Sequence, residues 1–484
     1  MTMMSFTMND FLAILPLIFI IAWACMLLLV HVFSKQTRVT FTLSLIGTLI
    51  GLLLTLLVGS HPKPVFNNMV VVDGFSVFLN SLFLISGFAG MALAYDYNRR
   101  MELHRGEYYI LILFSISGMM LMAVASDLIV VFLALELLSL PLYVLAGFAQ
   151  PKVESEEAAL KYFLLGAFTG GFVVYGIALV FGAASTTALN GIVAAVSAGT
   201  ADLTLMVIGA ALILVGLGFK VAVVPFQMWT PDVYHGAPSA VTAFMAVGAK
   251  AAGFAALLRV FIVAFPALDF DLAPVLWVLS VLTMIIGNFV AIAQSNIKRL
   301  LAYSSIAHAG YIFMVLVPFG QETVAPDAVA AALFYLLAYA LTNFGAWSVV
   351  IALERKEDKG LELQDYAGLG AKYPGLAAAM AVFMLSFTGV PPTLGFVGKF
   401  FLFRTVLQGG FIGLAIVGVV TSLVSAYYYL RILVIMYMQE GEPEVSGDGW
   451  LKLTTGVTAV GIVVLSLFAV PLFRWASEAV LMLF

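Results

Sequence analysis

Charge is scarce in this sequence of 484 residues: Asp, Glu, Lys and Arg together make up 10% of it, where globular domains run about 25%. With 63% of residues hydrophobic, too little polarity is present to solvate a soluble surface of this size. Cysteine is almost missing as well. The only one, Cys25, lies inside an apolar run, which excludes disulfides, cysteine-held iron–sulfur clusters and Cys-based zinc sites within the chain. The formal net charge of −4 comes with no basic face, so nothing points to a nucleic-acid partner. Neither a G-x-G-x-x-G nor a Walker A run occurs, and no His pair sits at haem spacing. No cofactor or redox centre is expected in this chain.

What is present is a succession of apolar runs of roughly twenty residues, each long enough to cross about 30 Å of hydrocarbon. The sequence predicts an all-α polytopic membrane protein with about fourteen spans: 10–32, 37–58, 73–96, 107–124, 126–149, 157–183, 203–227, 237–263, 272–293, 300–318, 327–353, 373–406, 409–437 and 452–476. No Lys or Arg precedes residues 11–30 and no small-residue cleavage site follows them, so they read as a first span and not as a leader. Placing the N-terminus outside puts Lys35, Arg38, Arg99, Arg100, Arg105, Lys152, Lys298, Arg299 and the basic residues of 355–372 on the inner side. That asymmetry satisfies the positive-inside tendency, and an even number of spans returns the C-terminus to the outside. The longest polar segments, 354–372 and 438–451, are too short for a soluble domain.

Two spans are expected to be discontinuous. Residues 203–227 carry Gly216 and Gly218 and end at Pro225; residues 373–406 are too long for one straight helix and contain Gly389, Pro391, Pro392 and Gly395. Irregular backbone at membrane depth is tolerated only where it is buried in protein or lines a wet cavity, although the same residues also serve close packing or a simple kink. The two breaks occupy comparable places in two runs of five spans. An odd number of crossings per unit inverts successive units, as in many ion-coupled transporters. The expected division is an N-terminal three-helix segment (1–100), a first inverted repeat (101–265), a second (266–440) and a C-terminal span (441–484).

Against this apolar background Glu136, Lys220, Lys250 and Lys399 each stand alone. A charge at the centre of a membrane helix costs about 2.5–3.5 kcal/mol on insertion scales, so intramembrane ionisable groups mark function by default. Lys250 stands midway along its span, too deep to reach the interface by stretching. Its small neighbours Ala246, Ala249, Ala251, Ala252 and Gly253 permit close packing and also leave room for water. Lys220 and Lys399 lie beside the breaks, where an early helix end would let the amine snorkel outward. Glu136 is either a hydrogen-bonded structural carboxyl or a counter-ion and proton carrier, with Lys220 as its natural partner. A free lysine, with a pKa near 10.4, does not cycle at neutral pH. Burial lowers a lysine pKa by up to about 3–5 pH units and an adjacent carboxylate opposes that change, so a moving Glu could switch a buried amine between holding and releasing a proton. His308 shares a helical face with Ser304 and Tyr311 and suits a relay or a satisfied structural role. Lys161, at the start of the sixth span, reads as a pathway residue or an interfacial anchor. His235, in TPDVYHGAP, reads as a loop residue, and the Tyr and Phe content as packing and lipid contact.

The segments GLGFKVAVVPFQMWTPDVYHGAPSAVTAFMAVGAK, SNIKRLLAYSSIAHAGYI and SFTGVPPTLGFVGKF resemble the signatures of the antiporter-like membrane subunits of respiratory complex I, NADH:quinone oxidoreductase. The resemblance covers most of the chain and is greatest to the subunit N branch. It implies a proton-translocating subunit of the membrane arm, with FMN, iron–sulfur clusters and quinone in partner subunits and neighbours of the M and K/J/A types within a bacterial inner membrane. It further implies that Glu136 and Lys220 form the paired site of a first half-channel, that Lys250 is the central relay, that Lys399 ends the second half-channel, and that His308 connects the axis. Gln227 departs from the pattern, since related chains often carry His in PFHLW. Two other readings stay open: a subunit of a multisubunit Na⁺/H⁺ antiporter or of a hydrogenase- or ferredoxin-linked relative, and a structural subunit whose charges only hold helices together.

Overall fold

The computed structural model describes residues 7–59, 63–479 and 481. Both chain ends, whose side of the membrane is assigned above from loop charge, lie outside the described residues. Thirteen helices among the described residues are long and apolar enough to cross a membrane, and a broken pair, Pro374–Thr388 and Leu394–Gln408, adds a further crossing segment. In order they are α1 (Leu15–Ser34), α2 (Thr37–Val58), α3 (Gly74–Arg100), α4 (Glu107–Val124), α5 (Leu128–Ala146) and α6 (Val153–Ala184). There follow α7a (Leu203–Val221) with α7b (Trp229–Gly236), α8 (Ser239–Ala264), α9 (Pro266–Ile292), α10 (Ile297–Leu316) and α11 (Ala325–Leu353). The last are α12a (Pro374–Thr388) with α12b (Leu394–Gln408), α13 (Ile412–Met438) and α14 (Gly449–Leu467). Helices satisfy every backbone polar group internally, which hydrocarbon demands.

Burial sorts these helices into a core and a shell. The apolar window of α8 is wholly buried and those of α10 and α11 are 89% buried, whereas α1 and α14 bury 28% and 22%. The shell helices turn side chains such as Leu29, Leu53, Phe168 and Leu423 outward, as lipid contact requires. The helices that carry Lys250, Ser305, His308 and Tyr339 are thus the most buried of the candidate spans.

Both breaks form, for different local reasons. α12a ends because Gly389 adopts φ 86 and Pro391 and Pro392 lack the N–H a helix needs; α12b restarts with the Thr393 hydroxyl accepting from Phe396 N. A Cβ on Gly395 would lie 2.0 Å from the Ser386 carbonyl oxygen, so glycine alone lets the halves approach this closely. α7a does not break at Gly216 or Gly218 as the sequence suggested. A Cβ on Gly216 would meet Val173 Cγ2 at 2.1 Å, so this glycine packs α7a against α6. The helix ends later, at Ala222, which takes the left-handed conformation (φ 64) ahead of Pro225.

Three further expectations are corrected. TPDVYHG is not a loop: it forms α7b, with His235 in its last turn. A short helix, Leu189–Ser197, occupies the stretch read as a connection. The final span stops at Leu467, and Ala469–Glu478 forms a separate helix. The all-α membrane fold stands, with one small hairpin in which β1 (Lys63–Val65) and β2 (Val70–Val72) pair antiparallel between α2 and α3. Phe66, Asn67 and Asn68, all at positive φ, make its turn, and the β-branched run Val70–Val72 suits a strand.

Candidate functional site

The core helix α8 is irregular on both sides of its central amine. Met245–Ala249 is a π-helical turn immediately before Lys250, and Val260–Ala264 is a second; such turns recur at functional positions. Lys250 is 2% exposed. Its Nζ donates to the Ser305 carbonyl and hydroxyl, both at 2.5 Å, and Tyr339 Oη donates to the same hydroxyl at 2.9 Å. The amine is therefore tied to α10 and α11.

Lys220 sits in the last turn of α7a. Although the helix ends early, the amine does not snorkel outward: the residue is 3% exposed, and Nζ donates to Ser139 Oγ at 2.8 Å and Tyr162 Oη at 3.0 Å. The carbonyl of Phe219 accepts from the Ala222 N–H at 3.1 Å and from the Trp229 indole N–H at 2.9 Å, so backbone and indole satisfy this helix end without the amine. Gly253, on the face of α8 one turn past Lys250, lets the Lys220 stem lie across it, since a Cβ there would be 3.4 Å from Lys220 Cγ and 2.6 Å from Val221 Cγ1. The expected Glu136–Lys220 pair is not in direct contact. Glu136 is half-buried, three residues before Ser139 on α5, and reaches Lys220 through space, with Ser139 as the contact between their helices. Gln227 lies between α7a and α7b with Oε1 buried and lacking a hydrogen-bond partner among the described residues.

At the second break the lysine itself is the cap. Lys399, 4% exposed, donates to the Phe387 and Thr388 carbonyls at 2.8 and 3.0 Å and to Ser422 Oγ at 2.7 Å. A cation on the carbonyl end of a helix is favoured by the aligned peptide dipoles. Its Nζ also lies 4.8 Å from the Tyr311 ring centroid.

α10 links the two amines. Ser304, Ser305, His308 and Tyr311 follow one another along one side of it. His308 is buried, with Nδ1 2.6 Å from Tyr335 Oη and Nε2 3.0 Å from Tyr429 Oη; Tyr429 in turn bonds Ser304. Ser304 therefore meets His308 through Tyr429, and His308 meets Tyr311 by ring contact, with centroids 5.7 Å apart. Asn288 extends the network, donating to Tyr311 Oη and accepting from Tyr428 Oη, each at 3.0 Å.

Two candidates lie apart. Lys161 is 40% exposed and bridges Glu157 and Asp232, both at 2.7 Å, while Asp232 also holds Arg299 at 3.1 Å. That cluster fastens α7b to α6 and α10 at the rim. The ring of His235 is half-buried, with Nδ1 unpartnered among the described residues. Sequence reasoning found Tyr311 but missed Tyr162, Tyr335, Tyr339 and Tyr429, Ser139, Ser305 and Ser422, and the fully buried bidentate pair of Arg259 with Asp73 at 2.9 and 3.0 Å. An arginine inside a predicted span was the available signal for the last.

Chemically, the site is a row of three buried amines in which, among the described residues, no carboxylate stands within ion-pair distance of any of them. Their partners are largely hydroxyls, which both donate and accept, so they can serve an amine with or without its extra proton. No group of three or more His, Cys, Asp or Glu placed to hold a metal occurs among the described residues.

Comparison with known proteins agrees with this geometry. The family described as "NADH:quinone oxidoreductase/Mrp antiporter, TM" matches residues 125–425. NADH-quinone oxidoreductase subunit N of Trichlorobacter lovleyi is 46% identical over 96% of either chain. That of Chloroflexus aggregans is 44% identical over 97% of this chain and 96% of its own. A chain of respiratory complex I from Thermus thermophilus superposes with a TM-score of 0.83 at 36% identity, covering 96% of this chain and 99% of that one. A chain of the Mrp complex from Dietzia reaches 0.85 at 22% identity over 98% and 97%, a likeness of fold alone.

Proposed function

We propose, for a chain that belongs to the subunit N family of NADH:quinone oxidoreductase, that it moves protons from the inner to the outer side of a bacterial plasma membrane. The drive is electron transfer from NADH to quinone in partner subunits, which would hold the FMN, iron–sulfur clusters and quinone. Neighbours of the antiporter-like M type and the K/J/A type would flank it in the membrane, with both termini outside. Carrying one charge against a potential of order 150 mV costs about 3.5 kcal/mol, and the energy has to arrive through those neighbours.

One observation carries the reading: Lys220, Lys250 and Lys399 are each 4% exposed or less and donate to hydroxyls. An amine held by hydroxyls can lose a proton without stranding a counter-charge. We assign Glu136 and Lys220 to the first half (101–265), Lys399 to the second (266–440), and Lys250, with Ser305, His308 and Tyr429, to the connection between them. Residues 1–100 and 441–484 flank these repeats. Lys161 belongs at the rim, as an anchor for α7b. The test is Lys250→Met in the assembled complex, with NADH-driven acidification measured in inverted vesicles. A lower proton yield per NADH is expected; an unchanged yield with intact assembly would sink the relay.

A further inference from the structure

On the side that carries the basic loops, a polar cavity of about 570 Å³ opens among the ends of α3, α5, α8 and α11. Its lining includes Tyr97, Gln150, Lys152, Gly236 and Glu354. Glu354 directly follows α11 and is 2% exposed. Its Oε1 accepts from Tyr97 Oη at 3.1 Å, while Oε2 is buried with no hydrogen-bond partner among the described residues. Buried polar atoms find a partner in protein or in ordered water, and a polar cavity of this size has ample room for water.

The inner side of this carboxylate leads toward the amines. Tyr97 Oη also accepts from the backbone N of Ser239, at 3.4 Å, and Ser239 is the first residue of α8, the helix that carries Lys250. Ser239 Oγ is another buried atom without a partner among the described residues. Farther along, Thr242 Oγ1 donates to the Tyr234 carbonyl at 3.2 Å, and the Tyr234 side chain lies against Ser305, the residue that holds Lys250. Lys298, buried beside this path, is fixed by the Ala237 carbonyl at 2.8 Å and interacts electrostatically with Glu354.

We propose that this cavity is the inner-side intake for protons and that Glu354 is the group that receives them. A hydronium in the cavity gives its proton to Oε2 and leaves as water. Glu354 becomes neutral on taking the proton and returns to the carboxylate when a proton is passed inward, past Tyr97 and the start of α8, to a neutral Lys250 amine, which becomes the ammonium. This rests on the transport reading above and adds the residue at which that transport begins.

The test is Glu354→Gln beside Lys250→Met, with protons moved per NADH measured in inverted vesicles of assembled complex. The Gln variant is expected to show the same deficit as Lys250→Met, with uncoupled NADH oxidation retained, and Glu354→Asp to restore most of the yield. Normal pumping by the Gln variant while Lys250→Met pumps poorly overturns the role of Glu354 alone; normal pumping by both overturns the transport reading. Should the Gln variant not assemble, Val153→Cys, exposed on the cavity lining, is treated with a bulky membrane-impermeant thiol reagent from the inner face. The unsubstituted protein, whose Cys25 is also exposed, is treated in parallel. Slower pumping after labelling supports the intake, and labelling without effect refutes it.

Discussion

At the break in α7 the carbonyl of Phe219 is satisfied by the Ala222 N–H and the Trp229 indole, and Lys220 donates to the hydroxyls of Ser139 and Tyr162. At the break in α12 the carbonyls of Phe387 and Thr388 are capped by Lys399 itself. The difference lies in what each amine meets: hydroxyls alone at the first break, and two carbonyls beside the Ser422 hydroxyl at the second. Hydroxyls donate as well as accept, whereas carbonyls only accept and the helix dipole adds negative potential at that end. The first break therefore suits a lysine that exchanges its proton, and the second a lysine that holds it until something displaces it. One architectural device, a discontinuous helix with a lysine beside it, yields two sites of unlike character.

The contrast can be broken in three ways. The largest effect is expected from Lys399→Met, which takes the donor from the buried Phe387 carbonyl at about 1–3 kcal/mol and leaves the Thr388 carbonyl with Ser422 Oγ alone. The purified complex should lose thermal stability as well as pumping, and lose more than Lys220→Met does. Equal stabilities of the two variants would erase the distinction. Next comes Trp229→Phe, which keeps the ring that stacks on Tyr162 (4.6 Å between centroids) but removes the N–H. Phe219 O keeps the Ala222 N–H and loses only this bond, so thermal stability of the complex should drop by about 1 kcal/mol with proton yield retained. An unaltered stability would show that the indole bond contributes nothing to holding α7b against α7a. The smallest effect is expected from Ser139→Ala: Tyr162 still accepts from Lys220, and one buried hydrogen bond is worth about 1 kcal/mol. Vesicle acidification should fall only slightly, and a loss as deep as that of Lys220→Met would make Ser139 the obligatory acceptor.

How much of this was legible depends on how each residue announces itself. Glu136, Lys220, Lys250 and Lys399 stand out because a lone charge in an apolar run is costly. Gly389 and the Pro391–Pro392 pair announce their break because each removes something a helix needs. Ala222 announces nothing, since no residue-type signal marks alanine for a left-handed position, and Pro225 alone marks this break in the sequence, while Gly216 serves packing. TPDVYHG was read as a loop because Pro231, Asp232 and Gly236 are turn residues out of context; as α7b they form a helix of eight residues whose Asp232 is tied to Lys161 and Arg299. The hydroxyl partners were illegible for a plainer reason. Serine and tyrosine sit in apolar helices at little cost, so their presence carries no signal until a charge is seen beside them.

By itself, the sequence determined the solvent, the elements and the cost: long apolar runs that must be helical in hydrocarbon, and four charges that need a reason to be there. Only the tertiary structure decided what answers those charges. Lys220 meets Ser139 across 81 residues and Lys250 meets Ser305 across 55, so each pairing is set by how helices rotate and cross, which no local pattern encodes. The physical reason is one of range. The penalty for a charge in hydrocarbon belongs to a single residue and can be read from its neighbours in the chain, whereas the hydrogen bonds that relieve it are contacts of a few ångströms between distant segments and exist only once those segments have packed.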